Sequence, residues 1–164
     1  GSGKTTLIKV LAGLMKPIDG QVIKKFPSHD LSLYLPEGGL YQDLTVRENF
    51  KLFTSFYEVS HEEIQDIVRV LFLNDFLDYK LKELSHGQKN RAILSLSLIK
   101  PASLYLLDEP FTGLDGASTI QLLWLLDQMK NSGKTILIAT HLTDKVTKMT
   151  SRWWWIEAGK FVEK

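Results

Sequence analysis

The 164-residue sequence contains no cysteine, which excludes disulfides and thiolate metal sites and leaves a reducing compartment permitted. It also lacks any apolar run of the ~20 residues needed to cross a bilayer, so work at a membrane requires another chain or segment to span it. No signal peptide is recognisable. Neither sign of charge dominates: 20 Lys+Arg stand against 19 Asp+Glu, a net charge of +1. That balance argues against an electrostatically driven nucleic-acid binder or a polybasic membrane anchor, and no nucleic acid is expected as a partner. Internal repeats and low-complexity segments are missing too. What remains is an ordinary globular composition, 44% hydrophobic and 24% charged, long enough for one sizeable core and too short to expect several domains.

One more thing is lacking at the start. The opening GSGKTT fits the end of G-x-x-x-x-G-K-[ST] without its first glycine, so the strand that feeds the loop is expected upstream of Gly1 and the sequence reads as partial. In such a loop the backbone N–H groups of Gly1, Ser2, Gly3, Lys4, Thr5 and Thr6 curl around phosphate, and Lys4 reaches the outer phosphates. The alternative, a Gly-Ser turn capping a core helix, is weakened by context. Leu7, Ile8, Leu11 and Leu14 form a helical stripe directly after Lys4-Thr5, which aims a helix N-terminus at the anion. Thr5 would give its hydroxyl to Mg²⁺.

Beyond that helix, Gly13, Pro17 and Gly20 read as stop and turn signals. Strands are expected at Gln21–Ile23 and Leu31–Leu35, the second running into the Pro36-Glu37-Gly38-Gly39 loop. Thr45-x-x-Glu48 and Ser60-x-x-Glu63 read as capping boxes of two helices, with Ile64, Ile67, Val68 and Leu71 at helical spacing in the second. The apolar runs Leu104–Leu107 and Thr135–Ala139 flank a helical stretch, Gly116–Lys130. Apolar strands alternating with helices predict an α/β fold with a mostly parallel sheet flanked by helices.

Two further stretches carry chemistry. SLYLLDEP ends an apolar strand in Asp108-Glu109, which sets two carboxylates at a C-terminal strand edge, where open α/β sheets bind ligands. Asp108 suits the Mg²⁺ shell and Glu109 a general base acting on the attacking water, although an acidic pair can simply end a strand. In LSHGQ, Ser85-x-x-Gln88 is another capping-box spacing ahead of a helix with Ala92, Leu96 and Ile99 on one face, which makes a second helix N-terminus fit for anions.

With these stretches in hand the chain resembles the ATP-binding-cassette (ABC) family of P-loop ATPases, over nearly its whole length and in the family's order. Gly1–Thr6 looks like a truncated Walker A motif, Leu35–Glu37 like the Q-loop, Leu84–Gln88 like the signature, Leu104–Glu109 like Walker B, Thr112–Asp115 like the D-loop and His141 like the switch histidine. The resemblance implies one ABC ATPase domain over residues 1–164 lacking its N-terminal strands, with a helical insertion, residues 40–100, between the Q-loop and signature. It implies ATP and Mg²⁺ as ligands, with Thr5, Asp108 and Glu37 on the metal and Lys4, Glu109 and His141 catalytic. Ser85, Gly87 and Gln88 would meet the nucleotide of a second cassette, in a homodimer or heterodimer assembled head to tail, with Asp115 in communication across it. The implied function is ATP hydrolysis powering an ABC transporter, an exporter by the look of YLPEGGLYQDLTVRENF. The chain would then sit on the cytoplasmic face of the cell membrane, held there by a transmembrane permease.

Two positions depart from the pattern: Glu37 stands where the family has glutamine, and His86 replaces the first signature glycine. A non-transport ABC ATPase and a nucleotide-gated module with little turnover are the alternatives. A small GTPase fits less well, since no N-K-x-D segment occurs. Trp153-Trp154-Trp155 is expected in a terminal hairpin with at least one ring in the core. Aromatic residues of the Tyr41–Tyr57 region are expected in the core as well, unless they line a groove for a membrane partner's helix.

Overall fold

The computed structural model describes residues 2–25, 27–36 and 38–162, with the side chain of Lys145 left out. Gly1 and Glu37, two of the expected site residues, therefore lie outside the described residues. Three parallel strands, β1 (Leu31–Tyr34), β2 (Leu104–Asp108) and β3 (Thr135–Ala139), lie in that order. Leu33 stands opposite Leu106 and Leu107 opposite Ile138. Helix α1 (Lys4–Ala12) packs on β2 and β3, and helix α4 (His86–Ile99) packs on β1, joined by α2 (Val46–Thr54) and α3 (His61–Val70). Helix α5 (Gly116–Asn131) contacts α3 and β3, and a single turn, α6 (Thr143–Val146), follows β3. The expected α/β P-loop architecture is observed.

Alternation along the strands decides which layer each side chain enters. Leu31, Leu106 and Ala139 join Ile8 of α1 in a small core. Tyr34, Tyr105 and Leu107 point the other way, into a large core shared with Phe50, Val68, Leu98 and Leu122. Leu107 is fully buried there. Leu107→Ala is expected to lower stability by about 2–5 kcal/mol, readable as a shift in the chemical denaturation midpoint, because the packed layer cannot collapse onto the missing volume.

Helix starts follow local chemistry. Thr45, Ser60 and Ser85 each cap a helix through a reciprocal capping box with Glu48, Glu63 and Gln88. The strand expected at Gln21–Ile23 does not form: these residues are coil, and Ile23 is 73% exposed. β-branched residues favour a strand only where they pair with a neighbour, and among the described residues this segment pairs with no strand. The expected tail hairpin does form, as β4 (Trp155–Glu157) and β5 (Lys160–Val162), closed by Ala158 and Gly159. Both turn residues have positive φ, which matches the right-handed strand twist. The expectation that a tryptophan ring enters the core is not met. Trp153 and Trp154 are about half exposed, Trp155 is half-buried, and Trp153 and Trp155 pack edge to face at 5.9 Å. A short two-stranded ribbon shields little of its own surface, so Trp153 and Trp154 stay open to solvent. The expectation for the aromatic residues of 41–57 is met only in part: Phe50 is buried in the core, Phe53 and Tyr57 line a cavity of about 400 Å³ with Leu33, Leu40, Ile93 and Lys100, and Tyr41 and Phe56 are exposed, since both lie outside α2 and off its buried face.

Candidate nucleotide site

The loop before α1 turns on Gly3, whose φ of +95° belongs to the left-handed region. A Cβ there would meet nothing within 4 Å, so glycine is needed for its backbone conformation and not for space. Leu7 N–H donates to the Gly3 carbonyl at 2.9 Å, and the N–H groups of Lys4, Thr5 and Thr6 come before the first helical bond. Lys4 Nζ donates to Ser2 Oγ at 3.0 Å, which folds the ammonium back over the loop. Thr6 is exposed at the helix start.

The sheet brings Asp108 to this helix. Because Asp108 follows Leu106 by two residues along β2, it points to the α1 side, and its Oδ2 accepts the Thr5 hydroxyl at 2.7 Å. It is only 3% exposed, and its Oδ1 has no partner among the described residues. A buried carboxylate oxygen without a partner is costly, so the pair fits a bound cation. Thr5 keeps oxygen lone pairs free while donating to Asp108, and both oxygens are hard ligands suited to Mg²⁺. Among the described residues no group of three or more His, Cys, Asp or Glu could hold a metal, so phosphate oxygens and water would complete such a shell.

Glu109 begins the turn beyond β2. Its φ is +49°, a conformation that costs a residue with a Cβ roughly 1–3 kcal/mol, and Pro110 follows. Its N–H extends the parallel ladder by donating to Ala139 O at 2.7 Å. The Glu109 carboxylate is mostly shielded, while the His141 ring is open to solvent. Oε2 of Glu109 accepts the His141 backbone N–H at 3.2 Å, and Oε1 lies 3.3 Å from His141 Nε2. The two residues flank a cavity of about 450 Å³ lined also by Thr112, Gly116 and Thr140.

Ser85, Gly87 and Gln88 form a separate group. Ser85 Oγ accepts the Gln88 N–H at 3.3 Å, which leaves its own O–H free to donate, and Gln88 Oε1 accepts the Ser85 N–H at 2.9 Å. No hydrogen bond among the described residues joins this group to Lys4 or Thr5. Gly87 packs instead on Gly113, in the turn that ends at Asp115. Asp115 caps α5 by accepting the Ser118 N–H at 2.7 Å, and the bonds from Ser118 hold its carboxyl below the usual range.

Sequence reasoning missed Asn90 and Gly113. Gly113 was legible as a turn glycine in FTGLD, whereas nothing in the pattern marked Asn90, a polar residue buried on α4.

The sequence pattern of the family described as "ABC transporter" matches residues 1–112. Over 168 residues the chain is 30% identical to the lantibiotic transport ATP-binding protein SrtF of Streptococcus pyogenes, covering 99% of this chain and 73% of that one. It is 34% identical over 173 residues to the thiamine import ATP-binding protein ThiQ of Photobacterium profundum, covering 98% and 72%. A solved ATP-binding subunit of an ABC transporter superposes with a TM-score of 0.85 at 25% identity, covering 98% of this chain and 72% of that one. The chain belongs to the ABC transporter family. It is a nucleotide-binding ATPase of that family, whose hydrolysis drives transport.

Proposed function

We propose that this chain is the Mg-ATP-hydrolysing subunit of an ABC exporter, acting as a homodimer or heterodimer of cassettes beneath a transmembrane permease on the cytoplasmic face of the membrane. The observation that carries the reading is the convergence of Thr5–Asp108 and Glu109–His141 at one edge of the parallel sheet, beside a helix N-terminus. Lys4 and the α1 N–H groups bind and orient the β- and γ-phosphates. Mg²⁺, when bound through Thr5 and Asp108, offsets phosphate charge. Glu109 takes the proton of the attacking water, and His141 holds the Glu109 carboxylate in place. Ser85, Gly87 and Gln88 complete the site of the opposite cassette by presenting a capped helix N-terminus to its γ-phosphate, with Asp115 near that contact. Export is favoured by the loop sequence between Tyr34 and Phe50. Residues 40–100, which contain α2 to α4, form the helical insertion, and the cavity lined by Phe53 and Tyr57 receives the permease.

The test is the Mg-ATPase rate as a function of protein concentration. Sites shared across a dimer predict a rate per chain that rises with concentration and levels off, and a rate independent of concentration down to the detection limit would overturn the shared-site reading.

A further inference from the structure

Asn90 sits one turn into α4 and is only 2% exposed, with its amide aimed out of the helix. Nδ2 lies 3.4 Å from the Thr112 carbonyl, to which it donates, and 3.3 Å from His86 Nε2. Thr112 is bound in turn to the active carboxylate's own backbone, its N–H donating to Glu109 O at 3.1 Å. The next residue, Gly113, has φ +77°, and a Cβ on it would stand 3.3 Å from Gly87 Cα and 3.7 Å from Asn90 Nδ2. From the other side, a Cβ on Gly87 would come within 2.8 Å of Gly113 O. Two backbones therefore touch with no side chain between them, and the Asn90 amide holds the contact closed.

This arrangement forms a short mechanical path. At one end is the first turn of α4, with Ser85 and Gly87. At the other is Glu109, three residues before the Thr112 carbonyl, held in a left-handed conformation and touching His141. A peptide turn of three residues pinned at both ends has little freedom to absorb a displacement, so motion of the α4 N-terminus is passed to the carboxylate.

We propose that Asn90 is a positioning residue for ATP hydrolysis: its amide clamps the first turn of α4 to the Thr112 carbonyl, so that engagement of Ser85 and Gly87 with nucleotide sets the geometry of Glu109. The inference rests on the reading of Glu109 as the base and of α4 as the helix that meets nucleotide. Asn90 itself touches neither substrate nor water in the reaction. Removing the clamp leaves phosphate binding by α1 intact and loosens only the carboxylate, which separates its effect from that of a binding residue.

The experiment measures kcat and KM of the full chain for Mg-ATP, with nucleotide affinity and unfolding midpoint taken alongside. Asn90→Ala is expected to lower kcat by about tenfold, the scale of one lost hydrogen bond expressed in the transition state, while KM and affinity change less than about twofold. Asn90→Gln, which keeps the donor on a longer arm, is expected to recover part of the rate. Gly113→Ala forces a Cβ against Gly87 at an exposed turn, so it reaches the same contact without emptying a buried site. It is expected to lower kcat similarly, and the double variant should fall well short of the product of the two singles. If Asn90→Ala does not fold, Gly113→Ala alone decides. The clamp is overturned if kcat stays within about twofold of the parent, or if the two substitutions multiply independently. Glu109→Gln separates the underlying reading: an inactive Glu109→Gln beside a fully active Asn90→Ala removes the clamp alone, whereas an active Glu109→Gln removes the reading of the base.

Discussion

Glu109→Gln is expected to lower turnover by roughly 10²–10⁴-fold while ATP remains bound, the usual scale for a general base. The geometry makes this substitution unusually clean. Glutamine has nearly the same shape, and its carbonyl oxygen can still accept the His141 N–H that now meets Glu109 Oε2 at 3.2 Å. The left-handed backbone at φ +49° is held by the ladder bond to Ala139 and by the turn to Thr112, neither of which involves the side chain. What the amide cannot do is accept a proton. Single-turnover hydrolysis together with equilibrium nucleotide binding distinguishes the outcomes. Loss of binding along with turnover would make Glu109 a structural residue and leave the proton without an acceptor at this site.

Lys4→Ala should act on the other term. The ammonium is expected to make charge-assisted bonds to the outer phosphates, worth ~1.5–3 kcal/mol, so ATP affinity should fall by about 10- to 150-fold. Among the described residues the Lys4 side chain bonds Ser2 Oγ alone, a contact of little consequence for folding, so the unfolding midpoint of the unliganded protein should stay where it is. Titration calorimetry with Mg-ATP reads the affinity directly. An unchanged affinity would place the phosphates away from α1. Taken together, the two variants should split binding from chemistry, Lys4 governing the first and Glu109 the second.

The legibility of this protein varied with the distance over which a feature is built. Capping boxes at Thr45, Ser60 and Ser85 were visible because both partners lie within four residues, and local hydrogen bonds depend little on the rest of the fold. The glycine loop, the apolar strands and the terminal hairpin were visible for the same reason. Gln21–Ile23 carried a strand-like run and formed none, since a strand exists only with a neighbour and its neighbour is not written in its own residues. The tryptophan triplet shows the same limit. Its hairpin was readable from turn chemistry, yet the exposure of each ring depends on what lies beneath the ribbon. The aromatic residues of 41–57 were split among core, cavity and solvent by the packing of α2 on α4, with Tyr41 and Phe56 left exposed, which no spacing rule resolves.

By itself the sequence determined the α/β class, the helix starts, the residue types of a phosphate site and membership of the ABC family. Each of these is carried by contiguous residues whose chemistry is local. Only the tertiary structure decided that Thr5 meets Asp108 across 103 positions, that Glu109 lies in a left-handed turn against His141, and that Asn90 reaches the Thr112 carbonyl. Those contacts exist because strand alternation and parallel register choose which side chains share a face, a choice settled when the whole sheet assembles and buries its two cores.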